Sequence, residues 1–273
     1  MNLEKIIKDA RIALLKTGEW IQKEAKFSDL NEVVFKGKND MVSYVDKDAE
    51  KKLVDDLKTI LPEAGFITEE GTIDNDQKKF TWIVDPLDGT TNFIHGLPIY
   101  SISVGLLQGN AVVGGIVYEL NKNELFYTWK GGGAFLNDNQ IYVSPTKDLS
   151  NSLLATGFPY HQFNKLDNYL SIIKDLMIQS HGLRRLGSAA TDLAYVACGR
   201  YDGFFEYNLN AWDIAAGILL VKEAGGNVTD FTGGNNALFG RELVATGNIH
   251  DGLLRTIQNT GNSLLNLFKI TYN

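Results

Sequence analysis

The chain has 273 residues, 44% of them hydrophobic, which is enough to bury a large core. Its net charge of −7 and the absence of any run of five basic residues argue against nucleic-acid and anionic-membrane partners. With a single cysteine, no apolar stretch approaching 18 residues and no signal-peptide core, the sequence predicts a cytoplasmic protein without an internal disulfide or a membrane span.

The N-terminal part of the chain is predicted to form two amphipathic helices with a polar loop between them. Apolar residues recur at helical spacing over 3–25, and the pattern returns over 46–60, beginning at Asp46. The intervening loop "FKGKNDMVSYVD" carries Lys36 and Lys38. These lysines are either solvated, or one of them contacts a substrate phosphate or stabilises the closed loop. The sequence leaves both alternatives open.

The middle of the chain is rich in predicted strands. Apolar runs end in acids at "GFITEE" and "FTWIVDP", and Pro86, which has no N–H, predicts that the second of these strands ends at Asp85. "YSISVGLLQGNAVVGGIVYEL" predicts a strand pair joined at Gln108-Gly109-Asn110, and "ELFYTWKGGGAFLNDNQIYVS" predicts another pair. After about residue 150, strands alternate with helices. We therefore expect an α/β (α+β) arrangement of layered sheets and helices, in two closely packed halves, 1–150 and 151–273.

The stretch "FTWIVDPLDGTTNF", residues 80–93, carries more oxygen ligands than a turn requires. Asp85 and Asp88 are three residues apart, with the Leu87 carbonyl expected to face the same space. Two neighbouring carboxylates repel unless a proton or cation lies between them, and such hard ligands favour Mg²⁺, Mn²⁺ or Ca²⁺. Gly89 and Thr90 offer backbone N–H groups to a phosphate. The stretch predicts metal-assisted phosphoester hydrolysis; the alternative, Asp88 as a helix N-cap, explains only one acid.

Three further acids extend this constellation. Glu69 ends the apolar run in "ITEEG", and it meets Asp85 if the two strands are neighbours in a sheet. Asp213 precedes an apolar helix in "NAWDIAAGILL", where it is an N-cap, a metal ligand, or both. Glu206 closes the strand "GFFE", where a carboxylate can accept hydrogen bonds from a polyol. The sequence thus predicts that carboxylates from three distant segments converge on one site.

These segments resemble the inositol monophosphatase family, within the superfamily of lithium-sensitive, magnesium-dependent sugar phosphatases. The two family signatures match throughout as "WIVDPLDGTTNFIH" at 82–95 and "WDIAAGILLVKEAGG" at 212–226, and the likeness extends to "GSAATDLA" at 187–194. The resemblance implies a five-layer αβαβα sandwich and a homodimer. It also implies two or three Mg²⁺ ions per active site, with Mn²⁺ as a substitute.

The resemblance further implies a role for individual residues. One Mg²⁺ would be held by Glu69, Asp85 and the Leu87 carbonyl, a second by Asp85, Asp88 and Asp213, and a weaker third would involve Glu69. The residues implied to orient or activate the attacking water are Glu69, Thr90 and Asp46. The residues implied to bind the substrate are Asp88, Gly89, Thr90, Ala189 and Glu206.

Several functions share such a metal core, and the sequence leaves the substrate open. Relatives hydrolyse inositol monophosphates, fructose 1,6-bisphosphate, 3′-phosphoadenosine 5′-phosphate or the 2′-phosphate of NADP, and we expect a simple polyol phosphate with a second activity as an alternative. A haloacid-dehalogenase-type phosphatase would have its two acids two residues apart, with the first as a covalent nucleophile. A catalytically dead binding protein should have lost some of the acids, and none is missing.

Overall fold

The computed structural model describes residues 2–27, 34–37, 40–42, 44–159 and 163–270, with side chains at 2–25, 44–159 and 163–260. Its helices are α1 (Leu3–Phe27), α2 (Tyr44–Ile60), α3 (Thr90–Ile94), α4 (Leu166–Gln179), α5 (Ala189–Ala197), α6 (Ala211–Glu223), α7 (Ala237–Gly240) and α8 (His250–Ile270). Its strands are β1 (Val34–Gly37), β2 (Asp40–Val42), β3 (Gly65–Thr68), β4 (Phe80–Asp88), β5 (Ser101–Gln108), β6 (Ala111–Glu119), β7 (Glu124–Trp129), β8 (Ala134–Leu136), β9 (Asn139–Ile141), β10 (Leu153–Thr156), β11 (Gly182–Arg184), β12 (Gly203–Tyr207), β13 (Asn227–Thr229) and β14 (Glu242–Thr246).

The two N-terminal helices form because their apolar residues fall on one face. In α1, Ile7 and Leu14 are completely buried, and α2 buries Ala49, Leu53 and Leu57 at intervals of four residues. The two helices pack on each other and on one face of a sheet. The predicted helices at 3–25 and 46–60 are confirmed, with small differences at their ends. Within the described residues, no helix combines the length and apolar character that crossing a bilayer requires.

The first sheet has seven strands, which follow the chain order from β3 to β9. β3 and β4 are parallel, and each later neighbour is antiparallel. The predicted hairpin at Gln108-Gly109-Asn110 is confirmed, with Gly109 at a φ of +60° between β5 and β6. The second predicted pair is instead three strands. Asn137 and Asp138 take φ values of 47° and 67°, which reverse the chain once more in a tight turn between β8 and β9.

At the acid-rich end, β4 differs from the prediction. The expectation that this strand ends at Asp85 is wrong, because β4 continues to Asp88. Asp85 pairs with Ser103 and Asp88 pairs with Ser101, so β4 contains an extra residue relative to β5. The extra residue forms a bulge at Pro86, where the N–H that proline lacks is not needed for a ladder hydrogen bond. The bulge keeps both acids at the same end of the sheet.

The second sheet contains five strands in the order β11-β10-β12-β14-β13. β10 is parallel to both of its neighbours, and β14 is antiparallel to both of its own. Helices α5 and α6 lie between the two sheets and contact both of them. Helices α1 and α2 cover the outer face of the first sheet, and α4 and α8 cover that of the second. The five-layer αβαβα sandwich is therefore confirmed.

Two glycines allow the middle helices to approach the first sheet closely. A Cβ atom on Gly105 would lie 2.8 Å from the Ala215 Cβ of α6. A Cβ atom on Gly115, on the neighbouring strand, would lie 2.8 Å from the carbonyl oxygen of Ala216 and 2.9 Å from its Cα. Because the obstructing atoms at Gly115 belong to the helix backbone, they cannot move aside by a rotamer change. The spacing of the sandwich at this point depends on the absence of a side chain.

Gly115→Ala should therefore destabilise the protein by about 1–3 kcal/mol, since the added methyl group forces α6 away from the sheet. The expected result is a lower thermal unfolding midpoint. Gly252→Ala is the matched control, because it lies in α8 with only Leu149 Cβ nearby, at 3.9 Å from the added atom. This control should be neutral or stabilising by up to about 1 kcal/mol. Equal midpoints for the two variants would contradict the packing argument.

Candidate active site

The end of the first sheet brings two of the predicted acids together. In the parallel pair of β3 and β4, Thr68 is in register with Val84, so Glu69 and Asp85 follow side by side. The Glu69 N–H donates to the Val84 carbonyl oxygen at 3.2 Å. Asp85 is buried, with 1% of its surface exposed, and the Glu69 side chain lies within hydrogen-bonding reach of it. The expectation that these two acids meet at one sheet edge is confirmed.

The third acid, Asp88, is held by the start of α5. Its Oδ2 accepts hydrogen bonds from the Ser188 hydroxyl at 2.6 Å and from the Ala190 backbone N–H at 2.7 Å. Asp88 is not a helix N-cap, because Gly89 occupies that position of α3. That alternative is therefore wrong. Asp88 instead connects the first sheet to the helix layer between the sheets.

The fourth acid, Asp213, comes from α6 on the other side of the cavity. Its Oδ2 accepts a hydrogen bond from the backbone N–H of Asn210 at 2.7 Å. Asn210 occupies the N-cap position, and Asp213 is the third residue of the helix. The N-cap alternative for Asp213 is wrong, because an N-cap at Asp213 would start the helix at Ile214, whereas α6 begins at Ala211, three residues earlier. The reach back to Asn210 fixes one carboxylate oxygen of Asp213 and leaves the other available.

The acids line one cavity of about 170 Å³ between the sheets and the middle helices. Its wall includes every predicted site residue except one. Asp46 does not line the cavity, but it contacts a residue that does. Lys36 and Lys38 lie outside the described side chains. The predicted residues in the wall are Glu69, Asp85, Leu87, Asp88, Gly89, Thr90, Ala189, Glu206 and Asp213.

Asp46 acts on the cavity through Thr90. Asp46 lies in the first turn of α2 and is completely buried. Its Oδ1 accepts a hydrogen bond from the Thr90 hydroxyl at 2.9 Å, and the same hydroxyl lies 3.0 Å from the Leu87 carbonyl oxygen. Because both neighbours are acceptors, the hydroxyl proton points towards them. The lone pairs of the Thr90 oxygen are then left to accept a hydrogen bond from a molecule in the cavity.

The Asp88-Gly89-Thr90 turn needs glycine at its centre. Gly89 has a φ of +97°, and a Cβ there would lie 3.0 Å from the Ile99 carbonyl oxygen and 3.3 Å from that of Gly187. A side chain at this position would therefore be strained and crowded at once. With no side chain in the way, a ligand in the cavity can approach the backbone N–H groups at the start of α3.

Repulsion and burial perturb the ionisation of these acids. Burial raises the pKa of Asp85 well above its ordinary value, and the charges of Glu69, Asp88 and Asp213 raise it further. Burial likewise raises the pKa of Asp88 to about 6, against the lowering effect of its hydrogen bonds from Ser188 and Ala190. Burial, reinforced by the charge of Asp88, raises the pKa of Asp213 to about 7. The ionised forms of these acids are therefore disfavoured in the cavity, and a cation among them would favour ionisation.

This donor set fits a hard divalent cation. The side chains and the Leu87 carbonyl offer only oxygen, and excess negative charge is what a bound cation would neutralise. No three His, Cys, Asp or Glu side chains in the described ranges are already grouped as ligands of one ion. The fit therefore rests on the chemistry of the donors and their shared cavity.

The structure adds one residue that the sequence reasoning missed, Glu50. It is completely buried in α2, one helical turn after Asp46. Its two carboxylate oxygens accept hydrogen bonds at 2.7 Å from the backbone N–H groups of Glu70 and Thr72 and from the Thr72 hydroxyl. Helix α2 thus holds the loop after Glu69 as well as Thr90. The spacing of four residues from Asp46 was the available signal, because it places both acids on one helix face.

Comparisons with known proteins agree on one family. The model of the inositol monophosphatase family matches residues 2–262. Inositol-1-monophosphatase of Mesorhizobium japonicum is 41% identical over 249 residues, which cover 90% of this chain and 93% of that protein. Nus factor SuhB of Escherichia coli strain K12 is 44% identical over 235 residues, covering 85% and 88%. The structure of inositol monophosphatase from Anabaena (Nostoc) sp. PCC 7120 superposes with a TM-score of 0.85 at 35% identity, covering 95% and 97%.

Glu50→Gln should loosen the loop that carries Glu69. The amide –NH₂ group of glutamine would face an N–H donor, so at least one buried N–H loses its acceptor, at a cost of about 1–3 kcal/mol. We expect faster hydrogen–deuterium exchange at the amides of Glu70 and Thr72. Asp48→Asn is the matched control, because Asp48 lies in the same helix and pairs with Lys51 at the surface. Unchanged exchange at both amides in Glu50→Gln would contradict the assignment.

Asp213→Asn should stabilise the metal-free protein at neutral and alkaline pH. The wild-type pKa is about 7 in the folded state against an ordinary value of 3.8. The stability from protonated Asp213 is thus fully present below about pH 4 and is lost as the pH rises to about 7. The neutral asparagine has no such loss.

The measurement is the thermal midpoint of both proteins in EDTA from about pH 4 to 8. The advantage of the variant should grow with pH and level off above about pH 7. Asp148→Asn, at the surface, is the control. An advantage that shrinks as the pH rises would show that Asp213 does not carry excess charge.

Proposed function

Since the chain belongs to the inositol monophosphatase family, we propose that it is a Mg²⁺-dependent hydrolase of inositol monophosphate or of a related polyol or sugar phosphate. The observation that carries this proposal is the convergence of four carboxylates beside the Gly89–Thr90 turn in one cavity. Relatives named inositol-1-monophosphatase support the choice of substrate class. The chain retains every acid that the family signatures call for, which argues against a catalytically dead binding protein.

The residues present divide into two overlapping ligand sets. Glu69, Asp85 and the Leu87 carbonyl would hold one Mg²⁺, and Asp85, Asp88 and Asp213 would hold a second, with Mn²⁺ as a substitute. A third ion would involve Glu69. Bound Mg²⁺ would supply charge neutralisation to the phosphoryl group and acidify a water molecule.

The chain's own groups position the reactants. The Thr90 hydroxyl, whose proton is directed to Asp46, accepts one hydrogen bond from the attacking water, and the Glu69 carboxylate accepts another. The backbone N–H groups of Gly89 and Thr90 bind phosphate oxygens at the turn that only glycine fits. Because phosphoryl transfer has a loose transition state, this positioning and the neutralisation of charge supply most of the rate.

The alcohol end of the substrate lies against the opposite wall, at Ala189 and Glu206. Fructose 1,6-bisphosphate, 3′-phosphoadenosine 5′-phosphate and the 2′-phosphate of NADP remain alternative or second substrates, since the same metal core serves each of them. A phosphate-release assay with Mg²⁺ over a panel of these esters, with and without lithium, distinguishes them. The homodimer, the cytoplasmic location and the absence of a nucleic-acid partner stay predictions.

Asp88→Asn and Glu69→Ala should each lower kcat at least about 100-fold. Changing a residue that only supports a metal ligand typically costs about 10- to 100-fold in activity, and losing a ligand itself should cost more. The fold should persist, which circular dichroism verifies. Glu63→Ala and Asp74→Asn remove exposed acids outside the cavity and should retain activity. A near-normal rate in Asp88→Asn or Glu69→Ala would refute the assigned roles.

A further inference from the structure

Arg241 has a backbone conformation that arginine seldom adopts. It ends the short helix α7 with a φ of +64°, in the left-handed region. Helix ends often use this conformation, but they usually place glycine there, because a Cβ atom is crowded in it. Each of the other described non-glycine residues with a positive φ is asparagine or aspartate, whose short polar side chains tolerate it better. The arginine side chain is therefore expected to offset the cost of this backbone through its contacts.

The residue opposite Arg241 is Asn208, which is also left-handed, with a φ of +67°. The antiparallel pairing of β12 with β14 ends at Tyr207 and Glu242, so Asn208 and Arg241 lie just beyond the last pair. The Leu209 N–H donates to the Arg241 carbonyl oxygen at 3.1 Å, which keeps the two chain segments together past the ladder. Two left-handed residues thus face each other at this end of the second sheet.

The Arg241 side chain bonds to Asn208 through two oxygens. Its Nη2 donates to the Asn208 Oδ1 at 2.9 Å and more weakly to the Asn208 carbonyl oxygen at 3.3 Å. The planar guanidinium fixes the directions of its N–H groups, so it suits a partner that offers two acceptors side by side. This contact therefore holds both the side chain and the backbone of Asn208.

A short segment connects this contact to the acid Asp213. Asn208 is followed by Leu209, which is 5% exposed, and then by Asn210, whose N–H donates to the Asp213 Oδ2 at 2.7 Å. A shift of Asn208 would therefore reach the donor of Asp213 through only two peptide bonds. All of these residues, and Arg241 itself, line the cavity.

The Arg241 guanidinium lies near Asp213 without bonding to it. Burial is the largest cause of the raised pKa of Asp213, and the charge of Arg241 is among the effects that lower it. Both side chains are described, and no ion pair joins them. An effect of Arg241 on the position of the carboxylate therefore passes through the segment 208–210.

We propose that Arg241 is a positioning residue, which holds Asn208 and thereby fixes the segment 208–210 that orients Asp213 towards a cation in the cavity. This inference rests on the proposed Mg²⁺-dependent function and deepens it, because it assigns the outer support of one metal ligand. The cost of a left-handed arginine is then tied to the cation site and not to the general stability of the fold.

The variant Arg241→Asn removes the guanidinium and keeps a residue that tolerates the left-handed backbone. Its dissociation constant for Mn²⁺, measured by electron paramagnetic resonance, should rise at least about fivefold. Loss of a direct partner of a metal ligand typically costs about 10- to 100-fold in metal affinity, and Arg241 acts one step further out. In the metal-free protein, the Asn210 amide should exchange its hydrogen for deuterium faster than in the wild type.

The sign of the change in affinity separates positioning from simple charge. If the guanidinium acted only as a positive charge near the site, its removal would strengthen Mn²⁺ binding, because like charges repel. The positioning role predicts weaker binding. Asn208→Gly should weaken Mn²⁺ binding as well, since it removes the Oδ1 acceptor but retains the charge of Arg241.

Asn123→Gly is the matched control for Asn208→Gly. Asn123 is also left-handed, with a φ of +54°, and its Oδ1 accepts a hydrogen bond from the Tyr118 hydroxyl at 2.7 Å, outside the cavity wall. This control should keep the Mn²⁺ affinity and the exchange at Asn210 as in the wild type. In the double variant Arg241→Asn with Asn208→Gly, the loss of affinity should be smaller than the product of the two single losses, because both changes remove one contact.

The outcomes distinguish this inference from the function on which it rests. If the wild type neither binds Mn²⁺ nor hydrolyses a phosphate ester, the proposed function fails and this inference fails with it. If the wild type does both, but Arg241→Asn keeps its Mn²⁺ affinity within about twofold or binds more tightly, the function stands and this inference alone is overturned. Weaker binding in Arg241→Asn but not in Asn208→Gly overturns it too. If Arg241→Asn does not fold by circular dichroism, Asn208→Gly decides by the same criterion.

Discussion

The mutual repulsion of carboxylates in one cavity is the constraint on which the rest of this structure depends. Asp85 is buried beside Glu69, and the charges of Asp88 and Asp213 act on it as well. When ionised, these carboxylates repel one another, so hydrogen bonds from the surrounding structure are needed to keep them close together. The backbone N–H of Leu87 donates to Asp85, the Ser188 hydroxyl donates to Asp88, and the backbone N–H of Asn210 donates to Asp213. A cation bound among these carboxylates would offset their mutual repulsion.

The layered architecture makes that convergence possible. The first sheet delivers its acids at the ends of two adjacent parallel strands, and a bulge at Pro86 continues the strand to a further acid. The helices between the sheets supply the groups opposite, since α5 holds Asp88 and α6 carries Asp213. Because a Cβ at Gly115 would meet the backbone of α6, the close approach of this helix depends on glycine. Packing in the core and geometry in the cavity are therefore coupled.

Helix α2, on the outer face of the first sheet, holds two of the loops that border the cavity through hydrogen bonds to its buried acids. Asp46 receives the Thr90 hydroxyl, and Glu50 receives the N–H groups of the loop that follows Glu69. Two buried acids on one helix face thus position the two loops that border the cavity. On the opposite wall, the buried Asp192 Oδ1 accepts no hydrogen bond from the described residues.

Local sequence determined much of this molecule. Helical spacing predicted α1 and α2, the turn at Gly109 predicted a hairpin, and acids at the ends of apolar runs predicted the candidate site. These features depend on neighbours a few residues apart, so a linear pattern records them. Tertiary structure alone decided the bulge between Asp85 and Asp88 and, among the described residues, the lack of a donor to the Asp192 Oδ1. Register and hydrogen-bond satisfaction depend on partners from distant segments, and a periodic pattern in one segment carries no information about them.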